Sequence, residues 1–412
     1  MSKLLENTLT LSDAIRINKA LRFNMMYKPI GAICNLNCSY CYYLDKASLY
    51  GEQSVMSFNL LNKIIREYID VNDNEQIVFD WHGGEPLLLG LDYFKKIVEI
   101  QKKYQGNKLI YNTIQTNATL LDENFASFFK ENNFLVGVSI DGPQSIHDKY
   151  RKDKGDDSVF FKVMRVVECL HKYNVDFNAL TTVNKASEGR GLEVYHFLKN
   201  IGSRYMQFMP VYEYLNYADN KVVAPDAENA MLAPWSVDSL EYGKFMSDIF
   251  DYWVKNDVGN YFVSLFDSTL ANYCGLSPGT CVYSETCGAN AVVEHNGDIY
   301  PCDHFVYPDF KVGNVCDMSL KEIMSSDKIL KFGVNKRNML PNQCIRCKYY
   351  FACHGECPKH RFDITQNGEP GLNSLCKGLF FFFSHVDSYM IKMRTLLFEG
   401  KEAKLIMKSD VS

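Results

Sequence analysis

Fourteen cysteines crowded into two stretches constrain this chain more than any other feature. Three lie within eight residues, Cys34-Asn35-Leu36-Asn37-Cys38-Ser39-Tyr40-Cys41, Cys169 stands alone, and ten fall between Cys274 and Cys376. In a secreted protein so many thiols would pair as disulfides; in a reducing compartment they ligate metals or do chemistry. The start, Met1-Ser2-Lys3-Leu4-Leu5-Glu6, lacks the apolar core of a signal peptide, and no apolar run is long enough for a bilayer. A cytoplasmic protein without a membrane partner is therefore expected. The longest greasy run, Leu379 to Phe383, reads as buried helix. Lys and Arg number 44 against 49 Asp and Glu, a net −5 with no basic block, which argues against a nucleic-acid partner.

At 412 residues and 47% hydrophobic content the chain can fill more than one core, and two domains are expected. From residue 28 to about 210 strand-like and helix-like segments alternate. The strand candidates are Ile30–Cys34, Gln76–Trp81, Leu109–Gln115, Phe134–Ile140, Phe177–Val183 and Arg204–Pro210. Helical stripes run between them: Phe58, Leu61, Ile65 and Tyr68 after a Ser57 cap, then Phe94, Ile97 and Val98. Phe125, Phe128 and Phe129 form a third, Val163, Val166, Val167 and Leu170 a fourth, and Leu198 with Ile201 a weaker fifth. Six strands with helical crossovers predict an α/β fold with a parallel sheet, open or barrel-like, whose ligands sit at the strand carboxyl ends. Residues 211–235 read as an irregular insertion, 237–256 and 261–273 as helices, and about 378–408 as a helical C-terminal part.

The loop Cys34-x3-Cys38-x2-Cys41 follows the first strand candidate. Three close thiolates suit a four-iron cluster with one iron left open to a small molecule. Zinc is the alternative, but a structural zinc takes four ligands and would need a further one, for which His82 is a candidate.

The pattern C-x3-C-x-aromatic-C, with Tyr40 as the aromatic, resembles the radical S-adenosylmethionine (SAM) superfamily, as does Gly83-Gly84-Glu85-Pro86 after the second strand. The resemblance implies a partial (β/α)6 TIM-like barrel, with SAM chelating the open iron of a [4Fe–4S] cluster. One electron then cleaves SAM to methionine and a 5′-deoxyadenosyl radical. It further implies that Tyr40, Gly83, Gly84, Glu85, Ser139, Asp141 and Arg151 line the SAM site. Glu85 would accept hydrogen bonds from the SAM ammonium and Arg151 would pair with its carboxylate. Gln115-Thr116-Asn117, at the third strand end, would line the same cavity or serve only as a helix-entry loop.

Downstream, Cys344-x2-Cys347-x5-Cys353-x3-Cys357, Cys376, Cys287 and Gly297-x4-Cys302 resemble the SPASM domain, which implies two auxiliary [4Fe–4S] clusters. The family's interleaving implies Cys281, Cys287, Cys302 and Cys357 for the first and Cys344, Cys347, Cys353 and Cys376 for the second. Cys274 competes with Cys281 for the first set, and Cys169 reads as core. The implied division is an N-terminal extension (1–25), a radical SAM barrel (26–235), a helical linker (236–275), a SPASM domain (276–380) and a C-terminal helix (381–412).

Tyr300-Pro301-Cys302-Asp303, Gln115-Thr116-Asn117 and Val138 to Pro143 make the chain similar to the anaerobic sulfatase-maturating enzymes. That similarity implies oxidation of a Cys or Ser in a Cys/Ser-x-Pro/Ala-x-Arg segment of an unfolded sulfatase to Cα-formylglycine. Asp303 would be the base, an auxiliary cluster would accept the second electron, and Tyr43, His82 and Gln115 would meet substrate. A reducing donor such as flavodoxin or ferredoxin is implied as a partner. The alternatives are another SPASM peptide maturase, such as a thioether-forming one, and a non-catalytic zinc-binding interaction protein. Metal analysis separates the last: three cubanes require about twelve irons per chain with matching sulfide, whereas zinc sites require none.

Overall fold

The computed structural model describes residues 21–44, 46, 54–216, 218, 222–223, 229–288 and 290–409. Residues 1–20 of the expected N-terminal extension and 410–412 of the C-terminal segment lie outside them. Six parallel strands, β1 (Asn24–Lys28), β2 (Gln76–Trp81), β3 (Leu109–Thr116), β4 (Phe134–Ser139), β5 (Phe177–Val183) and β6 (Tyr205–Pro210), lie side by side in sequence order. Their crossovers carry α1 (Phe58–Val71), α2 (Leu91–Tyr104), α3 (Glu123–Glu131), α4 (Gln144–Tyr150), α5 (Phe160–Lys172) and α6 (Gly191–Asn200).

The helices form where their stripes and caps dictate. The Ser57 side chain accepts the Leu60 N–H at the start of α1, which buries Leu61, Ile64, Ile65, Tyr68 and Ile69. Asp122 caps α3 through the Phe125 N–H at 2.9 Å, and α5 buries Val163, Val166, Val167 and Leu170. Cys169, beside that stripe, packs partly buried against the core, as expected.

The first strand candidate is displaced. Ile30–Cys34 is turn and loop, and the strand is Asn24–Lys28. Pro29 has no N–H to give to a ladder, so pairing stops at Lys28. The expected irregular insertion holds a small antiparallel sheet of β7 (Tyr214–Asn216), β8 (Val222–Val223) and β9 (Ala230–Leu232), in the order β8-β7-β9.

The large sheet does not end with β1. After α7 (Ser239–Asn256), β10 (Phe262–Val263) adds to β6, and α8 (Ser264–Tyr273) follows. On the other edge β11 (Asn290–Glu294) pairs in parallel with β1, from Asn24 opposite Asn290 to Lys28 opposite Glu294. It turns back through β12 (Asp298–Tyr300) and β13 (Gly313–Asn314), giving the ten-strand order β10-β6-β5-β4-β3-β2-β1-β11-β12-β13. The barrel strands are thus flanked at both edges and form an open sheet, a partial barrel. The first hairpin of the cysteine-rich region is built onto the barrel sheet.

Two later helices complete the frame, α9 (Asp327–Asn338) and α10 (Cys376–Phe398). In the run expected to be buried, Leu379, Phe382 and Phe383 are buried, but Phe380 and Phe381 are 46% and 39% exposed. One face of α10 packs on α7 and the other meets solvent. Among the described residues no helix is long and apolar enough to cross a membrane.

The α7–α10 crossing is closed by a glycine pair. A Cβ on Gly378 would lie 1.7 Å from the Ser239 carbonyl oxygen, and one on Gly243 would lie 2.3 Å from that of Gly378. Backbone cannot retreat as a side-chain end can. Gly378→Ala should therefore lower stability by about 1–3 kcal/mol, read as a lowered thermal unfolding midpoint of the as-isolated protein. An unchanged midpoint would show that the helices separate freely.

Candidate active site

The three-cysteine loop leaves β1 through Pro29 and lies against the end of α4, where Asn37 N–H donates to Lys152 O and Ser39 N–H to Tyr150 O. The sulfurs already receive N–H groups. Cys34 Sγ accepts from Leu36 N at 3.4 Å and from Asn117 Nδ2 at 3.7 Å, and Cys41 accepts from the Tyr43 and Leu44 backbone. Burial nevertheless pushes Cys34 up to about 11 and Cys38 up to about 12; Cys38 feels both other thiols and Cys34 feels Cys41. These groups are thiols at neutral pH unless a metal displaces their protons.

The Gly-Gly-Glu-Pro turn pairs with this loop: Gly84 N–H donates to Gly31 O and Glu85 N–H to Ile33 O. A Cβ on Gly84 would sit 2.1 Å from Ile33 O. The absent side chain therefore admits the cysteine loop itself. Gly83, before it, has φ of 136°. Glu85 is fully buried and ties the ends of β2 and β3 together, accepting from Thr116 Oγ1, Asn117 N and Leu87 N. Burial pushes it up to about 7 despite these donors, and no cation among the described residues offsets the effect.

Across the strand ends, buried Asp141 takes Nε and Nη2 of Arg151 at 3.0 and 3.2 Å, Tyr40 OH at 2.5 Å and Thr182 N–H at 3.0 Å. Burial opposes its ionisation, but Arg151 and the donors hold it below its ordinary value. Arg151, expected on the SAM carboxylate, commits two N–H groups to Asp141 in this structure, and its guanidinium faces the Tyr40 ring. Ser139 is buried at the end of β4. His82 Nε2 and Gln115 Oε1 meet in a hydrogen bond at the neighbouring ends of β2 and β3.

Asp303 reaches this region from the far end of the sequence. Because β11 pairs with β1, the turn after β12 lies over Lys28, whose ammonium forms an ion pair with Asp303. Tyr42 OH donates to the other carboxylate oxygen. Burial would raise the carboxyl, but Lys28, with His82 and His304, holds it well below the usual carboxylate range. Tyr43, expected to meet substrate, is 4% exposed; its hydroxyl donates to Glu294, and Lys28 lies over its ring. Tyr42 and Lys28 are the site residues sequence reasoning missed. Tyr42 adjoins a cysteine motif and could have been suspected; Lys28 carries no local signal.

Eight of the remaining eleven thiols divide into two electrostatic groups. Cys302 feels Cys281 and Cys287, and Cys357 feels Cys302 and Cys287. Cys353 feels Cys376 and Cys344, and Cys376 feels Cys344 and Cys347. Cys274 feels Arg394 and none of these thiols. Among the described residues no three His, Cys, Asp or Glu side chains converge closely enough to hold a single metal ion.

Two family models match the chain: the radical SAM superfamily over residues 29–198 and the SPASM iron–sulfur cluster-binding domain over residues 283–348. This is a radical SAM fold with a SPASM domain, and such domains bind iron–sulfur clusters. A serine-type anaerobic sulfatase-maturating enzyme of Bacteroides thetaiotaomicron is 48% identical over 390 residues, covering 93% of this chain and 94% of that protein. A cysteine-type anaerobic sulfatase-maturating enzyme of Clostridium novyi is 33% identical, covering 87% and 94%. The solved structure "Native anSMEcpe with bound AdoMet and Cp18Cys peptide" superposes with a TM-score of 0.80 at 32% identity, covering 91% of this chain and 99% of that one. The chain belongs to the anaerobic sulfatase-maturating enzyme family.

Glu85 yields a pH signature. Its folded value, about 7, lies above its ordinary 4.5, so its contribution is fully present below about pH 4.5. It is lost as pH rises through about 7, because a buried carboxylate must then ionise. The SAM-free protein should lose on the order of 3 kcal/mol over that window, and Glu85→Gln should flatten this component in denaturant titrations at several pH values. An identical pH slope in both proteins would remove Glu85 as the cause.

Proposed function

We propose that the chain oxidises a serine or cysteine side chain of a still unfolded sulfatase to Cα-formylglycine, with SAM and three [4Fe–4S] clusters as cofactors. The observation that carries this reading is the bond between Tyr42, next to Cys41, and Asp303, next to Cys302. It brings a carboxylate of the cysteine-rich region against the loop where a radical would be generated. The family relationship supports the chemistry, and the 48% identity to a serine-type enzyme favours serine as the residue oxidised.

Cys34, Cys38 and Cys41 would hold the open cluster. Glu85, a buried carboxylate without a cation, would be completed by the SAM ammonium, while Tyr40, Gly83, Gly84, Ser139, Asp141 and Arg151 would surround the rest of that ligand. When bound and reduced, this group supplies the radical that takes a hydrogen atom from the target Cβ.

The chain's own residues would manage the proton. Asp303 is ionised at neutral pH because Lys28 and its neighbours stabilise the charge, so it can accept a proton from the hydroxyl or thiol. Its low proton affinity suits a donor made acidic by a radical on the adjacent carbon. Lys28 and Tyr42 fix both carboxylate oxygens. His82 and Gln115, bonded at the strand ends, are the residues we assign to the peptide. The second electron would leave to the auxiliary site that contains Cys302, one bond along the backbone from the base. Cys281, Cys287, Cys302 and Cys357 would form that site, and Cys344, Cys347, Cys353 and Cys376 the other; their charge coupling supports this division. A Cys/Ser-x-Pro/Ala-x-Arg segment is the expected target, and a one-electron donor of the flavodoxin or ferredoxin kind would restart the cycle.

The test is anaerobic incubation of reconstituted, reduced protein with SAM and motif peptides. A serine peptide should lose the mass of one dihydrogen; a cysteine peptide should in addition exchange sulfur for oxygen. SAM cleavage with both peptides unchanged would sink the assignment. Asp303→Asn should slow aldehyde formation by roughly 10²–10⁴-fold with full iron content, and full turnover would eliminate Asp303 as the base.

A further inference from the structure

Between the two auxiliary cysteine groups lie two cations that the reaction above does not use, Lys336 buried and Arg361 half-buried. The segment Cys353-His354-Gly355-Glu356-Cys357 joins the groups, since Cys353 is coupled to the second and Cys357 to the first. Its three inner residues all have left-handed backbone, with φ of 47°, 71° and 50°. Two of them are not glycine, so the turn is strained and needs external support. One side chain supplies it. Arg361 Nε donates to Gly355 O at 2.9 Å, and Nη2 donates to His354 O at 3.1 Å and Glu356 O at 3.0 Å. Its Nη1 donates to the carbonyl of Lys336 on α9.

Lys336 is 1% exposed and repeats the pattern on the other side. Its Nζ donates to Cys281 O, Val282 O and Ser284 O at 2.5, 2.7 and 2.6 Å. Three carbonyl acceptors consume three N–H groups, which only the ammonium form has. Guanidinium is charged at any relevant pH. Both cations are therefore held by main-chain dipoles, and among the described residues neither has a carboxylate at ion-pair distance. The nearby Glu356 carboxylate is engaged elsewhere, by His360 at 2.9 Å and Asn373 at 2.6 Å. The thiols feel these charges: Cys287 feels both cations, Cys281 feels Lys336, and Cys344 feels Arg361.

We propose that Arg361, backed by Lys336, is a shared positioning cation that raises the reduction potentials of both auxiliary clusters and so poises them to accept an electron. The proposal rests on the reading that the eight downstream cysteines hold two clusters. Its physical basis is that adding an electron to a cluster adds negative charge. A fixed, weakly solvated cation nearby stabilises the reduced state over the oxidised one. A neutral donor could brace the left-handed turn equally well but could not do this. Arg361 holds all three residues between Cys353 and Cys357, so its charge should act on both clusters, whereas Lys336 should act mainly on the first.

The experiment is a redox titration of the full-length, three-cluster protein followed by electron paramagnetic resonance, without SAM or peptide. Arg361→Gln should lower both auxiliary midpoints by about 59 mV or more, a tenfold change in a one-electron equilibrium, and leave the Cys34–Cys41 cluster unchanged. Arg361→Lys should stay near wild type. Unchanged auxiliary midpoints in Arg361→Gln at full iron content would overturn the proposal, as would an equal shift in Arg361→Lys. If Arg361→Gln fails to assemble, Lys336→Gln leaves the turn's own contacts in place. It should lower the first auxiliary midpoint alone, and no shift there overturns the proposal. A wild type holding only about four irons would defeat the ligand reading and this proposal with it. Full iron content and the expected shifts in a protein inactive on peptides would defeat the activity reading while leaving this one standing.

Discussion

Desolvated thiols are the constraint on which the rest of this molecule depends. Burial pushes Cys38, Cys302 and Cys353 each up to about 12, far from the thiolate form that a metal binds. A fold that desolvates so many thiols, and aims backbone N–H groups at several of them, is organised around charge that arrives with a metal group. The cations around them fit the same logic. Arg151 is felt by Cys38, and Lys336 and Arg361 by the downstream thiols, so each region carries positive charge placed for anionic sulfur.

The second organising fact is the pairing of β11 with β1. It joins the cysteine-rich region to the barrel by five residue pairs, from Asn24–Asn290 to Lys28–Glu294. Through it, Asp303 comes to Lys28 and Tyr42, and Glu294 to Tyr43. The distance between the place where a radical would form and the place where an electron would leave is thus set by a sheet, an element far more precise than a linker.

Much of the barrel was legible because its signals are local. Gln76–Trp81 and Phe177–Val183 are strands with the expected bounds, and the stripes on α3 and α5 face the core, as does that on α1 except for Phe58, which is 50% exposed at the first turn. The displaced first strand shows the limit of local signals: Ile30–Cys34 has the better strand composition, yet Pro29 and the pairing with β11 select Asn24–Lys28. The cysteine groups are proposed through spacing matched to a family, not through spacing alone. Lys28, Lys336 and Arg361 were not legible, because their partners are carbonyls, or side chains up to 275 positions away, as in the Lys28–Asp303 pair; only the place of Tyr42 beside Cys41 gave a local hint. Nor does sequence reveal that Gly84 makes room for Ile33, or that Arg151 is already engaged by Asp141.

The central claim is that hydrogen leaves a target Cβ under the control of the Cys34–Cys41 site. A motif peptide deuterated at that carbon tests it most directly, with 5′-deoxyadenosine analysed by mass spectrometry after one turnover. The account predicts one deuterium in 5′-deoxyadenosine for each aldehyde formed. Aldehyde formed with no deuterium in 5′-deoxyadenosine would contradict it.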